Sequence, residues 1–153
     1  ITSFNIIWIL FIIDIFKKMI NSKIIKIALS TNNAGLKNNY THKSSVKNSL
    51  CGDLIKTEFI ANKSKIRSMR YETQSCVLCE ASASLLSKKI KNAKISDLTK
   101  EIQNMKKQKR NKNFKFSRKL KDFNKLINQK SFNRLSCVIL PMEAFLKAFK
   151  VIK

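Results

Sequence analysis

Three cysteines lie in three separate stretches of this chain, so a fold that uses them together must bring distant segments to one point. Cys51 stands in Ser-Leu-Cys-Gly-Asp, Cys76 in Gln-Ser-Cys-Val-Leu-Cys, and Cys137 in Arg-Leu-Ser-Cys-Val. Asp53 follows Cys51 by two residues. Three soft thiolates and one carboxylate form a four-ligand set that suits a tetrahedral zinc ion or one edge of an iron–sulfur cluster.

The residues around these cysteines favour metal binding. In an extended segment, side chains two positions apart point the same way, so Cys51 and Asp53 can reach one ion, and Gly52 lets the backbone pass close to it. Cys76 and Cys137 each precede a predicted helix, whose positive end favours thiolate over thiol. From spacing alone, small buried hydrophobic residues are an equal alternative.

Composition limits the class of protein. A chain of 153 residues, 44% of them hydrophobic, is enough for one modest domain with a core. The net charge of +23 is typical of proteins that bind nucleic acid or an anionic membrane. However, 27 Lys, 20 Ile and 15 Asn, all with A/T-rich codons, indicate that genome bias produces much of this charge. We therefore interpret most of it as a solvated surface, and we expect no nucleic-acid partner.

The cysteines also bear on the compartment. The four thiols, at positions 51, 76, 79 and 137, could form two disulfides in a secreted protein. Nothing after residue 18 indicates export, so we expect reduced thiols and a cytoplasmic protein.

Residues 1–18 are an apolar leader that ends in Lys17 and Lys18. The apolar run is shorter than the about 20 residues of a membrane-spanning helix, and Asp14 interrupts it. Its positive charge follows the apolar run, whereas a signal peptide carries that charge first. We expect Met19 to be the true start and residues 1–18 to be upstream translation or a fragment. The alternative is a membrane anchor, and we expect no membrane contact unless this segment is genuine.

The next part, residues 19–48, is predicted to form one helix and a long loop. The apolar periodicity of residues 19–29 predicts an amphipathic helix whose inward face carries Ile20, Ile24, Ile27 and Leu29. The polar stretch from Ser30 to Asn48 predicts a loop, in which the only histidine, His42, is solvated.

Residues 49–153 are predicted to complete a single domain that spans 19–153. Residues 54–61 and 65–73 alternate as two strands joined by a turn, and a helix begins at about Val77. Ser96 is the expected N-cap of the next helix, whose inward stripe is Leu98, Ile102 and Met105. Pro141 is expected in the first turn of the last helix.

The basic segment 106–121 is the strongest sequence signal for nucleic-acid binding. Phe114 and Phe116 in it could stack on bases. Apolar residues recur there at helical spacing, which favours core packing with a solvated Lys face; they are Phe116, Leu120, Phe123 and Ile127. Together these elements predict an α+β domain with a small antiparallel sheet of about three strands and helices packed on one side.

Three signatures occur here in the same order as in a known family. They are Cys51-Gly52-Asp53, the run Cys76-x-x-x-x-Ala81-Ser82-Ala83-Ser84, and Arg134-x-x-Cys137 with its tail Val138-Ile139-Leu140-Pro141. The chain resembles the NifU N-terminal/IscU family of iron–sulfur cluster assembly scaffolds over roughly residues 20–150. The resemblance implies that Cys51, Cys76 and Cys137 are the cluster or metal thiolates and that Asp53 is the labile fourth ligand.

Two departures from the classical IscU pattern indicate the SufU-type branch. The position before the third cysteine is Ser136 instead of His, and no proline-rich chaperone motif precedes it. Cys76 and Cys137 lie 61 positions apart, with an inserted segment that is expected to be helical.

The resemblance implies a scaffold or sulfur relay that acts with a cysteine desulfurase and acceptor apo-proteins, not an independent enzyme. Its cargo would be a transient [2Fe–2S] cluster, or Zn²⁺ would occupy the site. Cys137 is the expected sulfur acceptor of a scaffold, and Cys51 is an equal candidate in a zinc-containing relay.

Two alternative functions, and the role of a fourth cysteine, are not decided by the sequence. A basic RNA-binding or ribosomal protein of an A/T-rich genome would explain the charge, and a structural zinc protein would explain the cysteines. Cys79 forms Cys-x-x-Cys with Cys76 and could approach the metal, although a packed thiol is the preferred interpretation.

Overall fold

The computed structural model of the chain describes residues 3–19, 22–127 and 134–150. Its helices are α1 (Ser3–Met19), α2 (Ser22–Leu29), α3 (Val77–Lys89), α4 (Ile95–Gln108), a 3-10 helix (Arg118–Leu126) and α5 (Leu135–Ala148). Its strands are β1 (His42–Lys47), β2 (Leu54–Asn62) and β3 (Lys65–Gln74). The fold is α+β, with a three-stranded antiparallel sheet in the order β1-β2-β3, and so the predicted fold class is confirmed.

The sheet forms because alternate residues of each strand can be buried on one face. Ile55 and Phe59 of β2 pair with Thr73 and Met69 of β3, and both β2 residues are fully buried. Residues 69–74 alternate as the sequence predicts, with Met69, Tyr71 and Thr73 on the inner face. α3 and α5 pack against this sheet.

Small side chains in α3 allow close packing on several sides at once. The run Ala81–Ser84 is buried at every position, because α3 lies between α2, α5 and the sheet. The hydroxyls of Ser82 and Ser84 donate to the carbonyl oxygens of Val138 and Ser30, so neither polar group is buried without a partner. This run therefore sets the distance between the helix that follows Cys76 and the helix that contains Cys137.

The predicted loop from Ser30 to Asn48 is wrong in its second half, which forms strand β1. His42 begins that strand, and its ring packs on the ring of Phe149, with the two ring centroids 4.3 Å apart. In the first half of the predicted loop, the amide nitrogen of Gly35 donates to the carbonyl of Tyr71 on the free edge of β3. Glu58, buried on the outer face of β2, accepts hydrogen bonds from the backbone of Lys37 and Asn38.

Two details of the predicted helices in the first half are corrected. In α2 the inward residues are Ile24 and Ala28, whereas Leu29 is exposed; Ile20 lies outside the described residues. The N-cap of α4 is Lys94 instead of Ser96, because the amide nitrogen of Ile95 donates to the carbonyl of Ser64 in the β2–β3 turn and so fixes where the helix begins. The predicted stripe of α4 is confirmed, since Leu98, Ile102 and Met105 are buried.

The basic segment folds differently from its helical periodicity. Phe116 lies before the 3-10 helix, and Leu120 and Phe123 are buried within it. The rings of Phe114 and Phe116 are buried and meet edge to face, with centroids 5.0 Å apart. They are core residues, so they do not present a stacking face to bases.

The last helix begins earlier than predicted. α5 begins at Leu135, so Pro141 lies in its interior and Cys137 is its third residue. Proline has no amide hydrogen, and the helical bond that it cannot make would end on the carbonyl of Cys137. The helix therefore forgoes this bond directly after its first turn, at an interior position where proline normally lowers helix stability. Met142, Phe145 and Leu146 of α5 are buried, and α5 packs on β1 and β2.

Candidate metal centre

Three of the four predicted ligands converge at one end of the sheet. The Sγ atoms of Cys51 and Cys137 are 3.6 Å apart, although 86 positions separate these residues in the sequence. A carboxylate oxygen of Asp53 joins them in a group whose ligand atoms all lie within 4.8 Å of one another. Thiolate sulfur and carboxylate oxygen at this separation can bind one metal ion.

Cys51 and Asp53 are brought together by a tight turn, not by the extended segment that we predicted. The amide nitrogen of Gly52 donates to the carbonyl of Asn48 at 2.8 Å, and the amide nitrogen of Asn48 donates to the carbonyl of Asp53 at 2.7 Å. Gly52 has φ +75°, in the left-handed region that favours glycine. A Cβ at Gly52 would have no atom within 4 Å, so glycine is needed for its backbone angle and not for space.

The two carboxylate oxygens of Asp53 differ in their hydrogen bonding to the described residues. Its Oδ1 accepts a hydrogen bond from the amide nitrogen of Cys76 at 3.2 Å. Its Oδ2 is buried and has no hydrogen-bond partner among the described residues. A buried carboxylate oxygen without a partner is costly in an otherwise packed protein. A metal cation at this position would satisfy it, so the donor set and this free oxygen both fit a metal ion or cluster.

Cys76 lies beside the group at the N-cap of α3. It is half-buried, and its thiol interacts with the side chain of Cys137. It is not within the three-residue group of closest ligand atoms. The structure thus brings Cys76, the remaining predicted thiolate, next to the centre, with its amide nitrogen bonded to Asp53.

The thiol of Cys137 is protonated more readily than its helix position suggests. Burial, followed by the neighbouring thiol of Cys51, raises its pKa well above the ordinary value. We predicted that the helix end would favour thiolate here, but Cys137 is only 2% exposed and desolvation outweighs the helix dipole. A bound cation would reverse this balance, because metals deprotonate coordinating thiols.

Cys79 belongs to the core. It is fully buried on α3, and burial raises its pKa to about 12. This position agrees with the packed thiol that we preferred over a metal ligand.

Sequence reasoning missed one residue of the site, Asn48. Its side-chain oxygen accepts from the amide nitrogen of Leu50 at 3.0 Å, and its amide group donates to the hydroxyl of Ser136 at 3.1 Å. An Asn that precedes a Gly-containing turn by a few residues is a signal for such a side-chain-to-backbone turn, and we assigned it to a loop instead.

Comparison with known proteins places this arrangement in a family. The NifU-like N terminal domain family matches residues 19–137 of the chain. The chain belongs to this family of iron–sulfur cluster assembly scaffolds. The NifU-like match begins at Met19, and so it leaves helix α1 outside, apart from its last residue. Among the described residues, no helix combines the length and the apolar character needed to cross a membrane.

Individual relatives of the NifU-like domain agree with this assignment. The iron–sulfur cluster assembly scaffold protein IscU of Thermotoga maritima is 28% identical over 139 residues, which cover 90% of this chain and 97% of the relative. The NifU-like N-terminal protein of Brucella abortus has a similar structure, with a TM-score of 0.72 at 16% identity, covering 88% of this chain and 94% of that one. A protein of Fervidobacterium islandicum, named as a scaffold of the SUF system, also has a similar structure, with a TM-score of 0.71 at 20% identity. The match covers 86% of this chain and 97% of that one.

Proposed function

We propose that this chain assembles a transient iron–sulfur cluster on Cys51, Asp53, Cys76 and Cys137 and passes the cluster, or its sulfur, to acceptor proteins. The observation that carries the proposal is the convergence of ligand atoms of Cys51, Asp53 and Cys137 within 4.8 Å, with an Asp53 oxygen that has no hydrogen-bond partner in the described part of the chain. Membership of the scaffold family supports the same function.

The mixed ligand set suits a cargo that must later be released. Thiolates bind iron tightly because they are soft and charged. A carboxylate is a weaker ligand for such a cluster, so Asp53 provides the position at which an acceptor's thiolate can replace a scaffold ligand.

Access favours Cys51 as the first sulfur acceptor. Cys51 is exposed, whereas Cys137 is almost fully buried. The Cys51 thiolate would attack the terminal sulfur of a persulfide on a cysteine desulfurase, forming a new S–S bond while the desulfurase cysteine leaves as thiolate. Cys137, 3.6 Å away, could take this sulfur in a second exchange of the same kind. Conversion of the sulfur to sulfide in a cluster then needs electrons from an external reductant.

The same residues would hold zinc in a SufU-type relay. When bound there, zinc keeps the thiols deprotonated and so available for sulfur exchange at neutral pH. In both forms the protein works with a cysteine desulfurase and acceptor apo-proteins, and its reduced thiols suit the cytoplasm. It is not an enzyme on its own.

Anaerobic reconstitution with iron, a cysteine desulfurase, cysteine and a thiol reductant tests the proposal. We expect visible cluster absorption in the wild-type protein and its loss in Cys51→Ser, Cys76→Ser and Cys137→Ser. Cys79→Ser is the matched control, because this thiol is buried in the core and is not among the grouped ligand atoms, and it should keep the absorption if it stays folded by circular dichroism. Absorption that survives all three ligand substitutions would contradict the assignment.

The RNA-binding rival is tested with salt. Binding to phosphates weakens steeply as salt rises, whereas metal content should hardly change. Retention of RNA at low salt, together with no cluster or zinc at any salt, would favour the rival.

A further inference from the structure

Helix α1 presents an apolar surface that no part of the described structure covers. Its described side chains from Ile6 to Ile13 are all apolar, and each is between 43% and 66% exposed. None of them belongs to the hydrophobic core. Exposed apolar residues are normal when they are scattered, but eight in a row form a continuous patch, which marks an interaction site.

The shape of this patch limits what can cover it. Consecutive exposed residues point in all directions around a helix, so over residues 6–13 the apolar surface surrounds α1, and the exposed Asp14 follows at the end of this stretch. A protein groove, or one face of a second copy, would cover one side and leave the others in water. The acyl region of a membrane surrounds an inserted helix completely, and so it is the surroundings that match this pattern.

Charge indicates which kind of membrane. Lys17 and Lys18 follow the apolar stretch in the sequence, and Lys26 is exposed on the next helix. The whole chain carries a net charge of +23. Basic residues next to an apolar insertion are attracted to anionic lipid headgroups.

We propose that α1 inserts into an anionic membrane surface and holds the metal-binding domain there. This function is separate from cluster assembly and does not depend on it. Of the two explanations that the sequence allows for residues 1–18, it selects the membrane anchor. The apolar stretch enters one leaflet, and the lysines that follow remain at the headgroups.

The only tryptophan of the chain, Trp8, lies in the middle of the patch and gives a direct readout. Adding vesicles of phosphatidylglycerol mixed with phosphatidylcholine should shift its emission to shorter wavelengths, and brominated lipids should quench it. Phosphatidylcholine alone should bind at least about tenfold more weakly, because it lacks the charge that attracts the lysines. Lys17→Glu/Lys18→Glu should weaken this preference, because it reverses the charge next to the apolar stretch.

A pair of matched variants separates membrane insertion of α1 from nonspecific adsorption through exposed apolar residues. Ile9→Glu places a charge inside the patch and should abolish vesicle flotation, while Leu29→Glu, at an exposed apolar residue of α2, should not. Circular dichroism should show both variants folded, since neither residue is buried.

Three results would overturn the proposal. The first is a Trp8 emission that does not respond to vesicles. The second is a shift that occurs without vesicles and grows with protein concentration, which would show that a second copy covers the helix. The third is a native protein whose mass shows that it starts at Met19. Loss of vesicle binding with intact cluster assembly in Ile9→Glu would show that the two functions are independent.

Discussion

The side-chain nitrogen of Asn48 lies 3.1 Å from the hydroxyl oxygen of Ser136, and this bond ties the turn that carries Cys51 to the helix that carries Cys137. The same Asn48 side chain accepts from the amide of Leu50, and its backbone closes the turn at Gly52 and Asp53. One buried side chain therefore fixes both halves of the candidate metal centre.

Replacing Asn48 by alanine should weaken metal binding and stability together. The amide nitrogen of Leu50 and the hydroxyl of Ser136 would both lose their partner, and the loss of buried hydrogen bonds costs about 1–3 kcal/mol of unfolding free energy. Substitution of a residue that orients metal ligands typically lowers metal affinity by roughly 10–100-fold. Zinc competition with a chromophoric chelator and urea unfolding measure the two effects.

Two variants help to interpret this result. Ser136→Ala removes only the bond between the turn and α5, so its effect on zinc affinity should have the same sign and be smaller. Asn39→Ala changes an exposed asparagine away from the site and should have no effect on either measurement. An Asn48→Ala protein with unchanged zinc affinity would contradict the positioning role.

Gly52→Ala should strain the Cys51 turn without a steric clash. The positive φ of 75° disfavours any residue with a Cβ by about 1–2 kcal/mol. Gly35→Ala is a close control, because Gly35 has φ +86°, has equally open space, and lies outside the ligand group. Both variants should lose similar stability in thermal unfolding, but only Gly52→Ala should lose zinc affinity. Equal affinities in the two variants would show that the turn does not position the ligands.

Asp53→Asn should change apo stability and metal affinity in opposite directions. Asparagine keeps an oxygen that can accept from the amide of Cys76, but it replaces the buried carboxylate with a neutral group. The Oδ2 atom of that carboxylate lacks a hydrogen-bond partner in the described structure. The metal-free variant should thus be as stable as the wild type or more stable, because an unpaired buried charge is costly. Zinc affinity should fall, since a neutral amide is a poor zinc ligand. Loss of stability in the metal-free variant would indicate a structural role for Asp53 instead.

The strands and the site could be predicted to different extents, for physical reasons. The β2–β3 hairpin has strong apolar alternation around Ile55, Phe59 and Met69, so its position could be predicted from sequence. β1 has one apolar inward residue, Val46. Its Ser44 is held instead by hydrogen bonds to Thr57 and to the carbonyl of Ala144, which hydrophobic periodicity cannot reveal.

The candidate ligands have local sequence signatures, but the contacts that hold them together do not. Cys51, Asp53 and Cys137 carry local signatures, and the structure brings them together. The start of α5 was misplaced because a proline usually occupies the first turn of a helix, whereas Pro141 lies in the interior. Burial of Cys137 depends on tertiary packing, so its raised pKa could not be read from the sequence.

Removing metal should leave the domain folded. The hydrophobic core includes Phe59, Leu86 and Phe145, which are fully buried and lie outside the ligand group. A structural zinc protein would unfold when a chelator removes its metal. Here the chelated protein should keep its far-ultraviolet circular dichroism and a cooperative thermal transition at a lower temperature, as expected when a ligand is lost from the native state. Loss of the transition would favour the structural zinc protein.

The buried thiol of Cys79 should make the unfolding free energy fall at alkaline pH. Burial raises its pKa from 9.0 to about 12. Above pH 9 the unfolded chain releases this proton while the folded chain keeps it. The contribution of the Cys79 thiol to the unfolding free energy is therefore fully present below pH 9 and is lost as the pH rises toward about 12. The slope from this one group is at most about 1.4 kcal/mol per pH unit.

Comparison of wild type with Cys79→Ala isolates this contribution from other titrating groups. Near neutral pH the variant should be less stable, because it loses buried contacts of the sulfur. The difference should shrink as the pH rises above 9, since only the wild type has this thiol to titrate. Urea unfolding of the metal-free protein in reductant measures it. Leu78→Ala, a buried residue of the same helix that cannot ionise, should give a difference that stays constant with pH. If the Cys79→Ala difference were also constant, the thiol would not be held in a protonated state by the core.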